Sequence, residues 1–402
     1  MAAPEPKRVV TMNTGSATLK AAIYDILPAA KLVLSIRVEN ARDGARIRIS
    51  DSTGSSLFDQ PSSVNDSHAS LELIFHWLAD HGYVSGLAAA GHRLVHGGTL
   101  YTKPERITPA FLADVEQLMP LDPDHLPEAI SGIQFISQKL PELPQVACFD
   151  TAFHASMPKV AQMYALPRRL YEGGVRRFGF HGLSYEYISQ KLRKLEGQAA
   201  DGRVIIAHLG SGASMMAMKG GASVDTSMGF TPLEGLVMGT RCGDIDPGAV
   251  LYLLDQGKTS PQDLSTHLNK QSGLLGVSGA SADMRDLLEM AAKGDAHADE
   301  AIELFCYRAR KYIGSYAAAL GGLDMLVFTA GIGEKAAAVR DRICRGLDFL
   351  GIQIDAARNQ ANADIISSSA SRVKVRVIET DEDLMIVQHV VSLLGWTNRE
   401  AS

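Results

Sequence analysis

Residues 9–20 read VVTMNTGSATLK, and residues 203–219 read RVIIAHLGSGASMMAMK. Each stretch is an apolar run, a turn of small polar residues and a second apolar run, which predicts a β-hairpin with a tip rich in glycine and serine. Such tips present backbone N–H groups and hydroxyls together, an arrangement that suits a phosphate chain. One hairpin opens each half of the chain. This weak internal repeat therefore predicts a duplicated fold, with the domain boundary soon after His154.

Strands and helices alternate on both sides of that boundary, which is typical of the α/β class. Between the predicted elements, residues 40–66 are polar, and they predict one further antiparallel strand and a surface loop. A glycine turn that opens a helix is expected at AGIGEKAAAV (330–339), after the strand Leu326–Thr329. The stretch TDEDLMIVQHVVSLLGW predicts a closing helix capped by Thr380 or Asp381, and Asp66 or Ser67 is expected to cap the helix over 68–81.

The bulk composition excludes several classes of protein. A length of 402 residues predicts two domains, and 46% hydrophobic with 21% charged residues is ordinary for a soluble globular protein. The net charge of −6 disfavours non-specific binding to nucleic acid or to an anionic membrane. Four widely spaced cysteines indicate neither a disulfide framework nor structural zinc. No signal peptide or transmembrane run is visible, so we expect a cytoplasmic protein.

Residues 225–247, DTSMGFTPLEGLVMGTRCGDIDP, have neither helical nor strand periodicity. Glycines and prolines punctuate the stretch, which carries the cation Arg241 among several carboxylates. Its low charge density and many apolar residues argue against disorder. A long irregular loop of this kind is usually functional, so we interpret it as an active-site loop.

Two glycine motifs favour a nucleotide without completing a known fingerprint. Gly257-Lys258-Thr259 has the end of a P-loop, but Tyr252 stands where the first glycine is needed. Gly331-Ile332-Gly333 follows a strand and opens a helix, as in a dinucleotide fold, but too little chain follows it for that fold. We therefore interpret residues 331–333 as the N-terminus of a helix that lies close to the sugar or phosphates of a nucleotide.

Cations and histidines recur at the ends of predicted elements: Arg93 between His92 and His96, His125, His181 and Arg241. Any one of these could be a satisfied structural residue. Together they suit a site that neutralises several negative charges. Asp150, at a strand end, could be an acid, a hydrogen-bond acceptor or a partner of Mg²⁺, and Glu382 could simply favour a helix dipole.

Eight strings in this order resemble the acetate kinase (acetokinase) family, which belongs to the sugar-kinase, Hsp70 and actin superfamily. They span nearly the whole chain: VVTMNTGSATLK, GHRLVHGG, CFDTAFHASMP, RRFGFHGLS, AHLGSGAS, the stretch 225–247, FTAGIGE and VIETDEDLMI. The resemblance implies a duplicated, actin-like (ribonuclease H-like) α/β fold of two domains with an interdomain cleft. It implies a first domain of 1–153 plus 383–402 (acyl and Mg²⁺ side), a second of 154–382 (ATP side, dimerisation) and a homodimer.

The resemblance also implies reversible phosphoryl transfer between ATP and acetate or another short-chain carboxylate, giving ADP and an acyl phosphate, with Mg²⁺ or alternatively Mn²⁺. By matching positions, the catalytic residues are Arg93, His125, Asp150, His181 and Arg241. Asn13 and Glu382 match the metal site. The nucleotide-binding positions are Lys20, His208, Leu209, Gly210, Ser211, Gly212, Asp283, Met284, Arg285, Gly331, Ile332, Gly333, Glu334 and Lys335. The carboxylate-binding positions are Arg93, Val95, Asp124, Phe180 and Pro232.

Elementary chemistry agrees with that reaction. A carboxylic acid with a pKa of about 4–5 is already ionised at neutral pH, so the nucleophile needs no general base. Repulsion between the carboxylate and the polyphosphate opposes the reaction, and cations and positioning are the remedy.

Several positions depart from the family pattern. Asp124 stands where the family has a leucine that lines the pocket for the methyl group of acetate. An unpaired carboxylate buried there would cost several kcal/mol. It therefore turns outward, pairs with a cation or selects another substrate. Further departures are Ala17, Thr18, Ser211, Cys242, Met284 and Lys335.

Two alternatives to an acetate kinase follow from these departures. One is a propionate or butyrate kinase. The other is a non-catalytic paralogue that binds ATP without transferring its phosphate, against which the retained Asn13, Arg93, Asp150, His181, Arg241 and Glu382 argue.

Overall fold

The computed structural model describes residues 7–14, 18–27, 29–41, 44–62, 67–255, 257 and 259–396. The tip residues 15–17 of the first hairpin, the alternative cap Asp66 and Lys258 lie outside the described residues. The chain forms two compact units, one of Met1–Ala152 with Asp381–Ser402 and one of Phe153–Thr380. Glu382 lies in the first of these units, whereas the sequence-based boundary assigns it to the second domain.

The strands are β1 (Arg8–Thr14), β2 (Thr18–Asp25), β3 (Lys31–Ala41), β4 (Gly44–Asp51), β5 (Ser56–Ser62), β6 (Leu87–Leu94), β7 (Glu105–Arg106), β8 (Gln145–Phe149), β9 (Arg203–Leu209), β10 (Ala213–Lys219), β11 (Ala222–Thr226), β12 (Met325–Thr329) and β13 (Lys374–Val377).

The helices are α1 (Ser67–Asp80), α2 (Pro109–Glu116), α3 (Leu126–Lys139), α4 (Lys159–Gln162), α5 (Arg168–Glu172), α6 (Gly182–Glu196), α7 (Pro247–Asp255), α8 (Pro261–Lys270), α9 (Gly273–Ser278), α10 (Met284–Ala292), α11 (Ala296–Leu320), α12 (Ala330–Lys335), α13 (Ala337–Cys344), α14 (Ala356–Gln360) and α15 (Glu382–Leu393).

The sheet of the first unit has the strand order β5-β4-β3-β2-β1-β6-β8-β7. β1 to β5 pair antiparallel, and β6 and β8 run parallel to β1. A Cβ added at Gly91 in β6 would collide with Ile386 and would lie 2.9 Å from Cγ2 of Val390. The closing helix α15 is therefore packed directly on this sheet, with its first residue near the ends of the parallel strands.

The stretch 40–66 is more regular than the sequence analysis predicted. The structure has a meander of three strands here, which begins in β3 at Lys31, instead of one strand and a loop. Alternate residues are buried, with Leu34, Ile36 and Val38 in β3 followed by Ile47 and Ile49 in β4. The residues that alternate with them are mostly polar, such as Ser35, Arg37, Arg46 and Arg48. Overall polarity therefore concealed the period of two that one buried face requires.

The sheet of the second unit has the order β11-β10-β9-β12-β13. β9, β10 and β11 are antiparallel, and β12 and β13 run parallel to β9. The same pattern occurs in the first unit as β3-β2-β1-β6-β8. Each hairpin with its predicted small-residue tip thus starts one copy of a common sheet, which confirms the duplicated α/β fold.

The loop between β11 and α7 has no helix or strand over residues 227–246, as the sequence predicted. Gly243 has φ +70, and a Cβ there would lie 2.5 Å from the carbonyl oxygens of Gly235 and Leu236. Only glycine fits this left-handed, crowded position, so the loop can fold back on itself.

Two local predictions have clear outcomes. The helix expected after β12 is confirmed as α12 and α13, but the expected glycine turn is wrong, since residues 330–335 are already helical. The left-handed residue at the start is Ala330, with φ +63. Asp381 caps α15, since its side chain accepts a hydrogen bond from the Leu384 N–H at 2.8 Å. Among the described residues, no helix is long and apolar enough to cross a membrane.

Candidate functional site

Three residues predicted for the site lie at the carboxyl ends of adjacent parallel strands in the first unit. Asn13 is near the end of β1, Arg93 is the last residue but one of β6, and Asp150 directly follows β8. The register of the sheet pairs Met12 with His92 and Arg93 with Cys148. Parallel pairing therefore brings the three side chains together at one edge of the sheet.

Arg93 connects the other two residues. Its Nε lies 3.1 Å from both carboxylate oxygens of Asp150, its Nη2 lies 2.5 Å from Oδ2, and its Nη1 donates to Asn13 Oδ1 at 2.9 Å. Burial would lower the pKa of the Arg93 guanidinium, but the charges of Asp150 and Glu382 outweigh it and raise that pKa. Arg93 is thus a permanently charged group held in one orientation by a bidentate ion pair.

Glu382 and Asp383 begin α15 at the same edge. Burial raises the pKa of both carboxyl groups, and the neighbouring charges of Arg93 and Lys20 partly oppose this. Thr11 donates its hydroxyl hydrogen to Asp383 Oδ1 at 2.7 Å. Lys20 is exposed and pairs across the hairpin with Asn13. The predicted metal residues Asn13 and Glu382 therefore belong to one cluster with Arg93.

His125 is oriented by a residue that the sequence analysis missed. Its Nδ1 lies 2.7 Å from Oδ1 of Asp122, a carboxylate with 3% of its surface exposed. The spacing of three residues just before α3 is the only sequence signal for this pair. Asp124, the departure from the family pattern, is half-buried beside it, and Val95 is buried just after β6.

In the second unit, two predicted histidines stack face to face. The ring centroids of His181 and His208 are 4.1 Å apart, with 17° between the ring planes. His181 Nδ1 lies 2.8 Å from Ser214 Oγ, and His208 Nδ1 lies 2.8 Å from Ser184 Oγ. Each ring is therefore held by a buried serine hydroxyl that the sequence analysis did not single out.

Gly212 is the point at which the second-unit groups converge. A Cβ added to Gly212 would lie 3.4 Å from His181 Nε2 and 3.9 Å from Nη1 of Arg241. The neighbouring Ser211 accepts a hydrogen bond from the Gly239 N–H at 2.9 Å through its carbonyl oxygen. The predicted phosphate loop, the histidine and the arginine thus face one another within this unit.

Arg241 and Pro232, both in the loop 225–247, are linked directly. Arg241 Nη1 donates to the carbonyl oxygen of Pro232 at 3.2 Å. The residue expected to hold the transferring group and a residue expected to line the acyl pocket therefore share one rigid segment. Phe180, another expected pocket residue, is buried and precedes His181.

Glu234, which belongs to this loop, is bound by Tyr164 and Arg177 from outside it. We call these three residues the clasp. Arg177 Nη2 binds Glu234 Oε1 at 2.5 Å, and Nη1 donates to the carbonyl oxygens of residues 226–228 at 3.1–3.2 Å. Tyr164 donates its hydroxyl hydrogen to Glu234 and accepts one from the Phe230 N–H at 2.8 Å. Burial together with Glu234 raises the pKa of Tyr164. Arg177 and Glu234 both stand in quoted strings, but the sequence analysis did not connect them, because the members of this clasp are far apart in the chain.

Among the other predicted nucleotide residues, Leu209 ends β9, residues 283–285 lie at the start of α10, and residues 331–335 lie in the short helix α12. Asp283 caps α10 and forms an exposed ion pair with Arg285, Oδ2 to Nη2 at 2.6 Å. The helix α12, which holds residues 331–335, is anchored by the fully buried Arg340, whose Nη1 donates to the carbonyl oxygens of Gly333 and Glu334 at 2.8 and 3.0 Å. Burial raises the pKa of Glu334.

Residues 8–388 match the model of the acetokinase family. The chain belongs to the acetokinase family. It is therefore an acetate kinase-like phosphotransferase, as the ordered motifs and the duplicated fold indicated.

Curated acetokinase relatives cover almost the same length. An acetate kinase of Rhodopseudomonas palustris is 46% identical over 389 residues, 95% of this chain and 97% of the relative. One from Methylocella silvestris is 44% identical over 402 aligned residues, 96% of this chain and 98% of the relative.

Solved structures of the family share the fold. A propionate kinase from Francisella tularensis has a TM-score of 0.90 at 38% identity, covering 95% of this chain and 98% of its own. An acetate kinase of Porphyromonas gingivalis has a TM-score of 0.86 at 37% identity, covering 96% of this chain and all of its own. These neighbours confirm the two-domain, actin-like fold class.

Proposed function

We propose that this acetokinase-family chain transfers the γ-phosphoryl group of ATP to a short-chain carboxylate, and back. A carboxylate oxygen forms the new bond to phosphorus, the bond from phosphorus to the bridging oxygen of ADP breaks, and no proton is taken up or released. The observation that carries this proposal is the convergence of His181 Nε2 and Arg241 Nη1 on Gly212 of the phosphate loop.

Each proposed role follows from charge. In the first unit, Arg93 offers a fixed cation to the carboxylate of the substrate, because Asp150 and Asn13 hold its guanidinium. In the second unit, Arg241 and an N–H of His181 offer positive charge to the oxygens of the phosphoryl group in transfer. Such preorganised donors act on charge that is greatest in the transition state, and they lower the barrier without any reorganisation.

We assign Mg²⁺ to Asn13 and Glu382, with Mn²⁺ as the alternative ion. The described residues contain no group of three or more histidine, cysteine or acidic side chains arranged to hold a metal. Magnesium sites in kinases use one or two carboxylates and complete their octahedron with phosphate oxygens and water. The half-buried carboxylate of Glu382 and the amide oxygen of Asn13 each interact with Arg93, and such a pair of oxygen ligands fits that requirement. The bound ion would neutralise charge on the phosphates.

The acid that this chain prefers depends on Asp124 in our proposal. The half-buried carboxylate stands where the family has an apolar side chain. A carboxylate there is a poor neighbour for the methyl group of acetate and repels the carboxylate of the substrate, whereas it would accept a hydrogen bond from a hydroxylated tail. Propionate is the second candidate, because a structural neighbour at 38% identity is a propionate kinase.

The experiment is hydroxylamine trapping of the acyl phosphate made by the purified chain with Mg-ATP and acetate, propionate, butyrate or a hydroxy acid. We expect acyl hydroxamate from at least one C2–C4 acid. Its absence with all of them, together with calorimetric binding of ATP, would instead favour a nucleotide-binding protein without transfer. An Asp124→Leu variant should change the relative kcat/KM across the acids. Unchanged ratios would remove Asp124 from substrate choice.

We further propose a cytoplasmic homodimer. None of the residues of α7 is buried, and Leu251 and Tyr252 are 62% and 63% exposed. Exposed apolar side chains on one helix are typical of an interface. None of the four cysteines, all described, forms a disulfide, which suits a reducing compartment. Light scattering should give the mass of a dimer, and Leu251→Glu with Tyr252→Glu should give a monomer. A monomeric wild type would refute the homodimer.

A further inference from the structure

A chain of two hydroxyl groups ends on the imidazole of His181. The hydroxyl of Tyr185 lies 2.5 Å from Ser214 Oγ, and Ser214 Oγ lies 2.8 Å from His181 Nδ1. Tyr185 and Ser214 both have 0% of their surface exposed. Tyr185 is the fourth residue of α6 and Ser214 is the second residue of β10, so both hydroxyl groups are carried by regular elements of the unit.

The two hydroxyl hydrogens decide which nitrogen of His181 carries its hydrogen. A phenol is a far stronger acid than an aliphatic hydroxyl, and an imidazole nitrogen is a stronger acceptor than a hydroxyl oxygen. The arrangement that pairs the strongest donor and the strongest acceptor has Tyr185 donating to Ser214 and Ser214 donating to His181 Nδ1. In a neutral imidazole, a hydrogen bond accepted at Nδ1 leaves the hydrogen on Nε2.

We propose that Tyr185 and Ser214 are positioning residues that hold His181 in its Nε2–H tautomer, so that this N–H can be donated to the phosphoryl group. The inference rests on the proposed phosphoryl transfer. Its geometric basis is that His181 Nε2 faces Gly212, where Arg241 Nη1 also points. A histidine with its hydrogen on Nδ1 would present a lone pair to an anion there and would repel it.

The backbone conformation of His181 is a second sign that this side chain is held in one place. His181 has φ +59 and ψ 26, a left-handed conformation that is uncommon in residues other than glycine. Such a conformation persists only where the surroundings over-determine it. His181 is the N-cap of α6, but its side chain forms no capping hydrogen bond, and its Nδ1 lies instead 2.8 Å from Ser214 Oγ.

A second serine–histidine pair in the same unit provides a matched control. His154 Nδ1 lies 2.9 Å from Ser223 Oγ, and both residues are buried, as Tyr185 and Ser214 are. His154 Nε2 donates to the carbonyl oxygen of Phe180 at 3.0 Å rather than facing Gly212. Ser223→Ala removes a hydrogen bond of the same type without touching the proposed phosphate position.

The first test is the tautomer itself. Long-range ¹H–¹⁵N NMR spectra of protein labelled at histidine distinguish the two neutral tautomers, and the signal that disappears in His181→Asn is assigned to His181. We expect the Nε2–H form in the wild type and a mixture of both tautomers in Ser214→Ala. A wild-type His181 with its hydrogen on Nδ1 would overturn the proposal, whatever the activity of the variants.

The second test is kinetic. We expect kcat to fall roughly 10- to 100-fold in Ser214→Ala and by a smaller factor in Tyr185→Phe, because loss of a single oriented donor costs about 10²–10³ in kcat at most. KM for ATP and for the acid should change less than about twofold if only the transition state loses a donor. Ser223→Ala should retain the kcat of the wild type.

The outcomes separate the two proposals. A wild type that makes no acyl phosphate refutes the proposed function. An active wild type whose Ser214→Ala variant keeps its kcat refutes the relay alone. An equal loss of kcat in Ser223→Ala and Ser214→Ala would also refute the relay, since it would assign the loss to weakened packing.

Discussion

The guanidinium of Arg93 forms a bidentate ion pair with the carboxylate of Asp150 through Nε and Nη2, and only 1% of the Asp150 side chain is exposed. The pair is local to the first unit and joins the ends of two parallel strands. A buried charge of this kind is costly to leave uncompensated, so each partner depends on the other for its charge and its position.

Asp150→Asn should therefore damage both stability and activity. Arg93 would lose its compensating charge, and we expect a loss of about 3 kcal/mol in the free energy of unfolding and a fall in kcat of at least about 100-fold. Urea unfolding and a hydroxamate assay measure the two effects. The control is Asp25→Asn, because the Arg8–Asp25 pair in the same sheet is more exposed. A fully active Asp150→Asn variant would contradict the role of this pair in holding Arg93.

Arg241→Ala should separate activity from folding. Arg241 is half-buried in a loop that many backbone hydrogen bonds already hold, so the fold should persist. We expect kcat to fall by roughly 10³-fold or more, as when an arginine that stabilises a transferring phosphoryl group is removed. Steady-state kinetics and circular dichroism measure the two properties. Arg345→Ala, which removes an exposed arginine paired with Asp341, is the control. Normal turnover in Arg241→Ala would exclude this residue from the mechanism.

Glu234→Gln tests the clasp on the loop 225–247. The substitution keeps the shape of the side chain but removes the negative charge that pairs with Arg177 and strengthens the hydrogen bond from Tyr164. We expect stability to fall by about 2 kcal/mol and kcat to fall about tenfold, since a small displacement of Arg241 is costly. Thermal unfolding and kinetics measure these changes. The control is Glu303→Gln, which alters an exposed glutamate and should change neither the stability nor kcat. An unchanged kcat would show that the clasp does not position Arg241.

Acid should destabilise the first unit through His92. Burial lowers the pKa of this histidine to about 4, although its hydrogen bond to Gln145 opposes the shift. The unfolded chain takes up a proton near pH 6.5 and the folded chain only near pH 4. The stability contributed by neutral His92 is complete above pH 6.5 and is lost as the pH falls to 4. The loss is about 3 kcal/mol at most.

The measurement is urea unfolding at pH 7 and pH 4.5 for the wild type, His92→Gln and the exposed-site control His297→Gln. His92→Gln should lose less stability on acidification than the wild type, and His297→Gln should behave as the wild type does. An identical acid loss in all three proteins would assign the effect to other groups.

Glu382→Gln tests the proposed magnesium site. If the carboxylate binds the ion, the Mg²⁺ concentration for half-maximal rate should rise at least about tenfold, since losses of even outer contacts lower metal affinity by that factor. Titration of the rate with Mg²⁺ at saturating ATP measures the change. Glu379→Gln replaces an exposed glutamate in the preceding segment and should leave the titration unchanged. An unshifted titration in Glu382→Gln would remove the carboxylate from the metal site.

The sequence by itself determined the family, the duplicated fold and the loop 225–247, because these depend on signals local in the chain. Apolar runs around a small-residue tip specify each hairpin, and the glycines specify where the backbone turns. The polar meander after β2 was only partly predicted, because its period of two was hidden among charged residues. The start of α12 was mispredicted because a glycine pattern does not reveal that Ala330 takes the left-handed position.

Tertiary structure decided which residues support the site. Asp122, Tyr164, Tyr185 and Arg340 lie outside the family strings, and Arg177 and Ser214 lie within them but had no role assigned. All of them except Asp122 contact partners distant in the sequence. Strand register brings Asn13, Arg93 and Asp150 to one edge, and the packing of α6 on the sheet brings Tyr185 to Ser214. A side chain's role there depends on distances of about 3 Å between such residues. Spacing along the chain does not contain those distances, so the motifs could be named from the sequence but their partners could not.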